Sequence, residues 1–193
     1  PITRMKLRVE MADQPELRDK LLSDLDNMSR LVREGIAYAR SSESLEETTL
    51  KLELNAWVNS IASDYQDIGK NVHFHPCNTR LPIVTRPQAL RRVMTNLLDN
   101  ALKFGDSAVI EIDEDERQVA IRIMDNGPGI PEAELEAVLQ PFYRVETSRN
   151  RETGSTGLGL AIAAQLTARL DGKLHLANRA EGGLTVSVTL PRG

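Results

Sequence analysis

The sequence predicts an α+β protein in which a helical hairpin is followed by a two-layer α/β sandwich. Residues 2 to 40 contain a single glycine, Gly35, and their apolar side chains recur at the spacing of a coiled-coil seam. A polar stretch without periodicity follows, and beyond it helix and strand patterns alternate without a strict β-α-β order. We therefore expect two domains, the hairpin over residues 1–42 and the sandwich over residues 43–193.

The composition limits the classes of function. Of the 193 residues 40% are hydrophobic, which suffices for a sizeable core. The net charge of -4, with both signs mixed along the chain, argues against a nucleic-acid partner. The sequence has no apolar run of about 20 residues that could span a bilayer, and it lacks a signal-peptide pattern. Because Cys77 is the only cysteine, we expect a soluble protein of the reducing cytoplasm.

The N-terminal region is predicted to contain two helices separated by a turn. Asp13-Gln14-Pro15 interrupts the apolar seam, and Pro15 followed by Glu16 suits the first turn of a second, longer helix. Two helices with one seam leave it uncovered, so the simplest arrangement is pairing with a second copy into a four-helix bundle. The alternative is a hairpin that packs on its own globular domain, since the spacing fits both. The seam residues are Leu21, Leu25, Met28, Val32 and Ala39.

The second region alternates between short strands and helices. Pro87 suits the first turn of its longest predicted helix, and Asp115-Glu116 is predicted to hinge a hairpin between two alternating runs. The irregular stretch from Gln140 to Thr156 precedes the last helix. The expected strands cover residues 50–54, 72–74, 81–84, 108–112, 119–124, 173–177 and 185–190, and the expected helices cover 56–68, 87–104, a short segment after Pro131, and 158–170.

The first chemical motif lies on the predicted helix that ends at Phe104. Asn96, Asn100 and Lys103 recur at i, i+4 and i+7, which places all three side chains on one polar face. Mg²⁺ prefers oxygen ligands and keeps several waters, so one amide oxygen from Asn100 suffices beside phosphate oxygens, while Lys103 can neutralise phosphate charge. Taken alone, the pattern also fits an ordinary helix with a solvated face.

The second motif, Asp125-Asn126-Gly127-Pro128-Gly129, follows an alternating run that predicts a strand. Asp125 therefore stands at a strand end, where ligand-binding groups are common. A carboxylate in an apolar pocket can accept a hydrogen bond from the exocyclic amine of adenine, whereas guanine would face it with a second acceptor. Gly127 and Gly129 would let the backbone approach the ring. By themselves the Asn-Gly and Pro-Gly dipeptides indicate only a loop.

The third motif is the run Gly154-Ser155-Thr156-Gly157-Leu158-Gly159, which opens the last predicted helix. The free amides and positive dipole end of a helix suit phosphate. The run is not a Walker loop, since no Gly-Lys-Ser/Thr closes it, and Ile162 breaks a dinucleotide-binding fingerprint. The polar stretch before it, with Arg144, Arg149 and Arg151, is predicted to form a mobile lid over phosphates. A disordered surface loop is the alternative.

These motifs occur in a fixed order together with Pro141-Phe142-Tyr143-Arg144 and the pair Gly182-Gly183. In that combination, residues 50–191 resemble the catalytic ATP-binding domain of sensor histidine kinases, with its N, G1, F and G2 boxes. The resemblance implies the Bergerat (GHKL) fold, which this domain shares with the gyrase, heat-shock-90 and mismatch-repair ATPases. It also implies ATP and Mg²⁺ as cofactors.

The resemblance implies roles for individual residues. Asn100 would bind Mg²⁺, and Asp125 would bind adenine, with Gly129 and Thr185 near a water molecule beside it. The residues expected to act in catalysis are Asn96, Lys103 and Arg144. The residues expected to bind the nucleotide and its metal are Asn96, Asn100, Lys103, Phe104, Asp125, Gly127, Gly129, Ile130, Phe142, Gly154, Thr156, Gly157, Leu158, Gly159 and Thr185.

The N-terminal hairpin resembles the dimerisation and phosphotransfer domain of the same family, in the EnvZ-like class. In that domain the acceptor histidine belongs to a His-Asp/Glu-Leu-Arg-Thr-Pro box, whereas this chain begins with Pro1-Ile2-Thr3-Arg4. We therefore expect the phosphoacceptor outside this sequence, because His73, His75 and His175 all fall in predicted strands. Phosphatase activity, which uses the threonine of that box, is not expected for this chain.

One position separates the kinases from the related ATPases. The ATPases carry a Glu one helical turn before the Mg-binding Asn, where it activates water as a general base. In this chain that position is Asn96. An amide cannot accept a proton at neutral pH, so we expect transfer of phosphate to a histidine ring nitrogen rather than fast hydrolysis.

The sequence therefore predicts the cytoplasmic kinase core of a two-component sensor, an ATP-dependent protein histidine kinase whose phosphate passes to a response-regulator aspartate. The expected partners are a second copy, bound through the N-terminal helices, and a response regulator, with an inner-membrane anchor in the full-length protein. One alternative is a serine kinase of the anti-sigma type on the same fold, against which the hairpin argues. The other is a nucleotide-binding dimerisation module without transfer.

Overall fold

The computed structural model describes residues 15–43, 47–145 and 156–192, together with Met5 and Val9. The helices are α1 (Pro15–Glu43), α2 (Leu54–Asp67), α3 (Pro87–Phe104) and α4 (Gly159–Arg169), and two short 3₁₀ helices cover Glu132–Glu134 and Ala137–Leu139. The strands are β1 (Leu50–Glu53), β2 (Val72–His75), β3 (Pro82–Thr85), β4 (Ala108–Glu114), β5 (Gln118–Asp125), β6 (Lys173–Asn178) and β7 (Leu184–Pro191). From β1 onward, each strand and α-helix begins and ends within two residues of its predicted bounds.

Helix α1 begins at Pro15, as predicted, and continues to Glu43. Of the predicted preceding helix only Met5 and Val9 are described, both helical, and the turn at Asp13-Gln14 lies outside the described residues. Helix α1 runs beside α4, and Leu25 is buried, but most of its apolar side chains are not. Like the other helices in the described ranges, α1 has no apolar stretch long enough to cross a membrane. The exposed apolar residues of α1 are Leu17, Leu21, Met28, Leu31, Val32 and Ile36.

The core of the second region is a five-stranded sheet covered on one face by helices. The strand order is β2-β4-β5-β7-β6, with β2 and β4 parallel and the other neighbours antiparallel. Helices α2, α3 and α4 pack against β2, β5 and β6. This arrangement confirms the predicted two-layer sandwich.

The alternating pattern of the strands decides which face the helices cover. Ile121 and Ile123 of β5 are buried toward the helices, whereas Arg122 forms ion pairs with Glu111 and Asp113 of β4 on the opposite face. Each large aliphatic side chain contributes about 1.5–3 kcal/mol on burial, while an exposed ion pair contributes about 0–1 kcal/mol. Burial of the aliphatic face therefore dominates the packing.

The segment before β1 is anchored to the start of α3. Strand β1 pairs with β3, which leads directly into Arg86-Pro87. Arg86 at the N-cap supplies no capping side-chain bond. Instead Glu47 accepts the N–H of Gln88 at 2.6 Å and the N–H of Ala89 at 2.9 Å. A carboxylate there satisfies free amides and complements the helix dipole, so Glu47 ties the linker region to the helix that carries Asn96 and Asn100.

Replacing Glu47 by Ala should lower the free energy of unfolding by about 1 kcal/mol, because two amides of α3 lose their acceptor. Urea unfolding followed by circular dichroism measures this loss. The matched control is Glu116→Ala, which removes an exposed carboxylate in the β4–β5 turn. Equal stability of both variants would contradict the capping role of Glu47.

Candidate functional site

An open cavity lies where α3, α4 and the end of β5 meet. Its empty space, part of which is open to solvent, amounts to about 960 Å³, within the range of small-molecule sites. Polar side chains reach the cavity from Asn100, Asp125, Tyr143 and Arg144. Most of the remaining wall is apolar, formed by Phe104, Ile130, Val138, Val145, Leu160 and Leu184. The site therefore combines a largely apolar wall with a few directional groups.

Asp125 is the last residue of β5, and only 5% of it is exposed. Its Oδ1 accepts the N–H of Gly127 at 2.8 Å and the N–H of Leu184 at 3.1 Å. The first donor lies in the loop after β5 and the second begins β7, so the carboxylate is held between two segments. This geometry leaves Oδ2 available to a hydrogen-bond donor in the cavity.

Burial raises the pKa of Asp125 above its ordinary value of 3.8. The amides of Gly127 and Leu184 and the charge of Arg179 oppose this effect without cancelling it. A carboxylate that is partly withdrawn from water forms stronger hydrogen bonds with a donor that reaches it. Asp125 is therefore suited to bind a neutral amine in a cavity that excludes water.

The turn between β6 and β7 closes around the main chain of Asp125. Arg179 donates from Nη1 to the carbonyl oxygen of Asp125 at 2.9 Å. Gly183 has a φ of +97°, and a Cβ at this position would lie 2.0 Å from the same oxygen. Only glycine permits this approach, which explains the second residue of the Gly182-Gly183 pair.

The loop after Asp125 is packed against the end of α3. A Cβ at Gly127 would lie 2.7 Å from the carbonyl oxygen of Phe104. Asn126 Oδ1 accepts the N–H of Asp106 at 2.9 Å. At Gly129, where φ is +73°, the nearest atom to a Cβ would be Oδ1 of Asn178, at 2.6 Å. Both glycines are thus required by contacts with the protein itself, whatever their distance from a ligand.

The polar face of α3 is oriented toward α4. Asn100 lines the cavity. Asn96 donates from Nδ2 to the carbonyl oxygen of Arg92 at 2.7 Å, and its Oδ1 would lie 3.6 Å from a Cβ at Gly159. Lys103 Nζ lies 6.0 Å from the centroid of the Phe104 ring. The three residues thus follow one edge of the site, and Asn96 is nearest to the start of α4.

The start of α4 is joined to the segment after the 3₁₀ helices. Phe142 has a φ of +65° and donates its N–H to the carbonyl oxygen of Gly157 at 3.0 Å. A Cβ at Gly157, where φ is +73°, would lie 2.5 Å from the carbonyl oxygen of Tyr143. The N-cap residue of α4, Leu158, supplies no side-chain cap. Gly157 therefore brings the two segments together, and Gly159 opens the helix beside the cavity.

The chain was compared with protein families once this geometry was established. Residues 85–193, more than half of the chain, match the family described as histidine kinase-, DNA gyrase B- and HSP90-like ATPase. The chain belongs to this family. Its ATP-binding fold is the one that the three motifs predict.

Curated relatives carry the same family character. The chain is 35% identical over 198 residues to the sensor histidine kinase GtrS of Pseudomonas aeruginosa, a match that covers 100% of this chain and 39% of that protein. It is 28% identical over 209 residues to the sensor protein kinase WalK of Staphylococcus aureus, covering 99% of this chain and 50% of that protein. The chain therefore spans between about two fifths and one half of these relatives.

Solved structures confirm the fold. The Acinetobacter baumannii histidine kinase AdeS matches with a TM-score of 0.70 at 19% identity, over 100% of this chain and 95% of that one. Full-length ShkA in complex with AMPPNP matches with a TM-score of 0.73 at 20% identity, over 94% of this chain and 39% of that one.

The structure brings many of the predicted residues of this ATPase site together. Among the predicted residues, those that line the cavity are Asn100, Phe104, Asp125, Gly129, Ile130, Arg144, Gly157 and Gly159. Those that adjoin lining residues without lining it are Asn96, Lys103, Gly127, Phe142, Thr156 and Leu158. Leu158 is a fully buried core residue, and Phe142 is 60% exposed. Gly154, Arg149 and Arg151 lie outside the described residues, as does most of the predicted lid.

Thr185 is not placed as expected. Along β7, Leu184, Val186 and Val188 are buried toward the helices, and the alternation of the strand turns Thr185 to the other face. Leu184 lines the cavity and donates its N–H to Asp125. The side chain next to Asp125 on this strand is therefore Leu184, and the strand alternation could have identified it.

Other residues of the site carry no local signal. Val138 and Val145 flank an irregular stretch, and their sequence contexts indicate no ligand. Asn178 and Arg179 act through contacts with residues about 50 positions earlier. Only the folded chain brings them to the loop after Asp125.

Two neighbouring glycines test the close approach of the β6–β7 turn to Asp125. Gly182 and Gly183 both have positive φ, at +94° and +97°, but a Cβ at Gly182 would meet no atom within 4 Å. Gly182→Ala should therefore lose about 1–2 kcal/mol of stability through backbone strain alone. Gly183→Ala should lose clearly more, because its Cβ would overlap the carbonyl of Asp125. Chemical denaturation measures both values, and equal losses would contradict the close approach.

The raised pKa of Asp125 predicts a pH-dependent stability difference in the ligand-free protein. A raised pKa in the folded state means that the folded chain holds this proton more tightly than the unfolded chain. The wild type should therefore lose stability, relative to Asp125→Asn, as the pH rises from about 3.8, the unfolded value, through the folded pKa. Above that window the difference should stay constant.

Thermal unfolding at a series of pH values measures this difference. Asp171→Asn, which removes an exposed carboxylate after α4, controls for the change in net charge. A stability advantage of the wild type that grows with rising pH would show that burial does not dominate at Asp125.

Proposed function

We propose that this chain is the ATP-binding core of a two-component sensor histidine kinase. It binds ATP with Mg²⁺ in the cavity beside Asp125 and transfers the γ-phosphate to a histidine side chain, for relay to a response-regulator aspartate. The observation that carries the proposal is the buried Asp125, whose Oδ1 is held by two amides in a largely apolar cavity. The similarity to GtrS and WalK supports the transfer step.

The base occupies the part of the cavity next to Asp125. The exocyclic amine of adenine donates to the Oδ2 of Asp125, and the apolar wall, which includes Ile130 and Leu184, contacts the ring. Guanine places a carbonyl where adenine has this amine, so two acceptors would face each other in a poorly hydrated site. The cavity should therefore prefer adenine nucleotides.

The phosphates lie toward the start of α4. Its first amides have no side-chain cap from Leu158 and suit an anion, and Lys103 and Arg144 supply positive charge near the same edge. Asn100 lines the cavity and offers the amide oxygen that Mg²⁺ accepts as a ligand. When bound, Mg²⁺ would neutralise phosphate charge. The predicted phosphate residues Thr156 and Gly157 adjoin this end, and Gly154 remains a prediction.

The residue before the proposed metal ligand favours transfer over hydrolysis. Asn96 occupies the position at which a general base would activate water, and its amide already donates to the carbonyl oxygen of Arg92. An amide takes no proton from water at neutral pH. The γ-phosphate therefore waits for a stronger nucleophile, such as an imidazole nitrogen.

The acceptor and the partners belong to the full-length protein. His73, His75 and His175 lie on strands β2 and β6, so we place the acceptor histidine on the dimerisation hairpin, outside these three. The exposed apolar residues of α1 support a four-helix bundle with a second copy. We accordingly retain the division into a hairpin over residues 1–42 and an ATP-binding domain over 43–193, a response regulator as partner, and a membrane anchor with the kinase core in the cytoplasm.

A transfer assay tests this function. The protein is mixed with labelled Mg-ATP and a related kinase core that keeps its acceptor histidine but has its own metal-binding Asn replaced. We expect label on the partner that is acid-labile and stable to base, as phosphohistidine is. Acid-stable label would indicate a serine kinase, and no label despite ATP binding would indicate a binding module, so either result would contradict histidine transfer.

Asn100→Ala should reduce this transfer at least about tenfold, because Mg²⁺ loses its protein ligand. The matched control is Asn71→Ala, which removes an exposed amide before β2. Full transfer by the Asn100 variant would contradict the metal assignment.

Asp125→Asn should weaken ATP binding by about 10- to 100-fold, since it replaces a charged acceptor with a neutral group that can present a second donor. Isothermal titration calorimetry with ATP measures the change, and Asp171→Asn serves as the control. Unchanged affinity in the folded variant would show that Asp125 does not bind the base.

A further inference from the structure

The last residue of β6, Asn178, is bonded to the loop that follows Asp125. Although β7 lies between β5 and β6 in the sheet, Nδ2 of Asn178 donates to the carbonyl oxygen of Ile130 at 2.6 Å. Its Oδ1 accepts the N–H of Ile130 at 2.9 Å. One side-chain amide therefore pairs with both main-chain groups of Ile130, as a neighbouring strand would, and holds residues 126–130 across the end of β7.

The loop is shaped for this contact at Gly129. The φ of +73° is accessible to glycine, and a Cβ would lie 2.6 Å from Oδ1 of Asn178. A side chain at this position would therefore displace the amide that holds Ile130. Gly129 and Asn178 fit each other although they are far apart in the sequence.

The next residue, Arg179, holds the other end of the loop. Its Nη1 donates to the carbonyl oxygen of Asp125 at 2.9 Å, and its Nη2 pairs with Glu181 at 2.6 Å. Two consecutive residues at the end of β6 thus bind the first residue of the loop and the last. Between these two points the chain contributes Asp125, Gly129 and Ile130 to the cavity.

We infer that Asn178 and Arg179 are positioning residues that hold the base-binding wall together, so that the carboxylate of Asp125 and the main chain at Ile130 face one ligand. The lining that the described residues form includes neither of them, so both act through the loop. The inference rests on the proposed function, because it takes the ligand to be an adenine nucleotide.

The consequence is a loss of selectivity rather than a uniform loss of binding. The base contacts the loop, whereas the phosphates are bound by α3 and α4. When the loop is released, ATP loses contacts that GTP makes only poorly. Asn178→Ala should therefore weaken ATP binding by about tenfold, the expected effect of two lost hydrogen bonds, and should weaken GTP binding less.

Competition of ATP and GTP against a fluorescent ATP analogue, in the full chain with Mg²⁺, measures the ratio of the two affinities. The expected result is a ratio that falls several-fold in Asn178→Ala and stays at the wild-type value in Asn71→Ala. If the Ala variant does not fold, Asn178→Asp takes its place. It keeps the acceptor for the N–H of Ile130 but sets a carboxylate against its carbonyl oxygen, and the same decrease is expected.

Hydrogen exchange in the ligand-free protein tests the contact separately from the ligand. The amide of Ile130 should exchange at least about tenfold faster in Asn178→Ala, because its acceptor is gone. The amide of Leu184, which is bonded to Asp125, should keep its wild-type rate.

Three results would overturn the inference: an unchanged ratio of ATP to GTP affinity in a folded variant, equal weakening of both nucleotides, or unchanged exchange at Ile130. A wild-type protein that binds no ATP would instead contradict the proposed function. In that case the exchange of the Ile130 amide would still decide whether Asn178 holds the loop.

Discussion

The buried carboxylate of Asp125 is the constraint on which the rest of the site depends. Burial of an uncompensated charge costs several kcal/mol, so this side chain is tolerated only with strong partners. The amides of Gly127 and Leu184 supply hydrogen bonds to a charged group, each of which contributes about 1.5–3 kcal/mol. Because those donors belong to a loop and to another strand, satisfying the charge also fixes the relative position of two segments. The same contacts prepare the remaining oxygen for a ligand.

The glycines of the motifs serve this packing. Gly127 lies against Phe104, Gly157 against Tyr143, and Gly183 against Asp125, in each case at a main-chain oxygen that a Cβ would approach within 3 Å. The sequence alone indicated flexible loops that approach a ligand. In the structure these positions bring protein backbones together, so the cavity walls are held by contacts that no larger residue permits. The ligand then meets a preformed surface on the side of the base.

The sequence was sufficient to predict the elements because their signals are local. The bounds of α3 and the alternation in β4 and β5 follow from hydrophobic periodicity, and the metal and base residues lie in short motifs on those elements. The sequence failed where a contact joins distant segments. Nothing near Glu47 indicates that it caps α3, and nothing near Asn178 indicates Ile130. Thr185 illustrates a different failure: the family resemblance placed it at the base, whereas the alternation of β7 gives that place to Leu184.

The most direct test of the account removes the partner of Asp125 from the ligand instead of from the protein. Purine riboside triphosphate differs from ATP by the absence of the exocyclic amine, and its affinity can be compared with that of ATP by calorimetry. If the amine donates to Asp125, the wild type should bind ATP about 10- to 100-fold more tightly, and this difference should disappear in Asp125→Asn. Equal affinities of the wild type for the two nucleotides would contradict the assignment of Asp125 to the base.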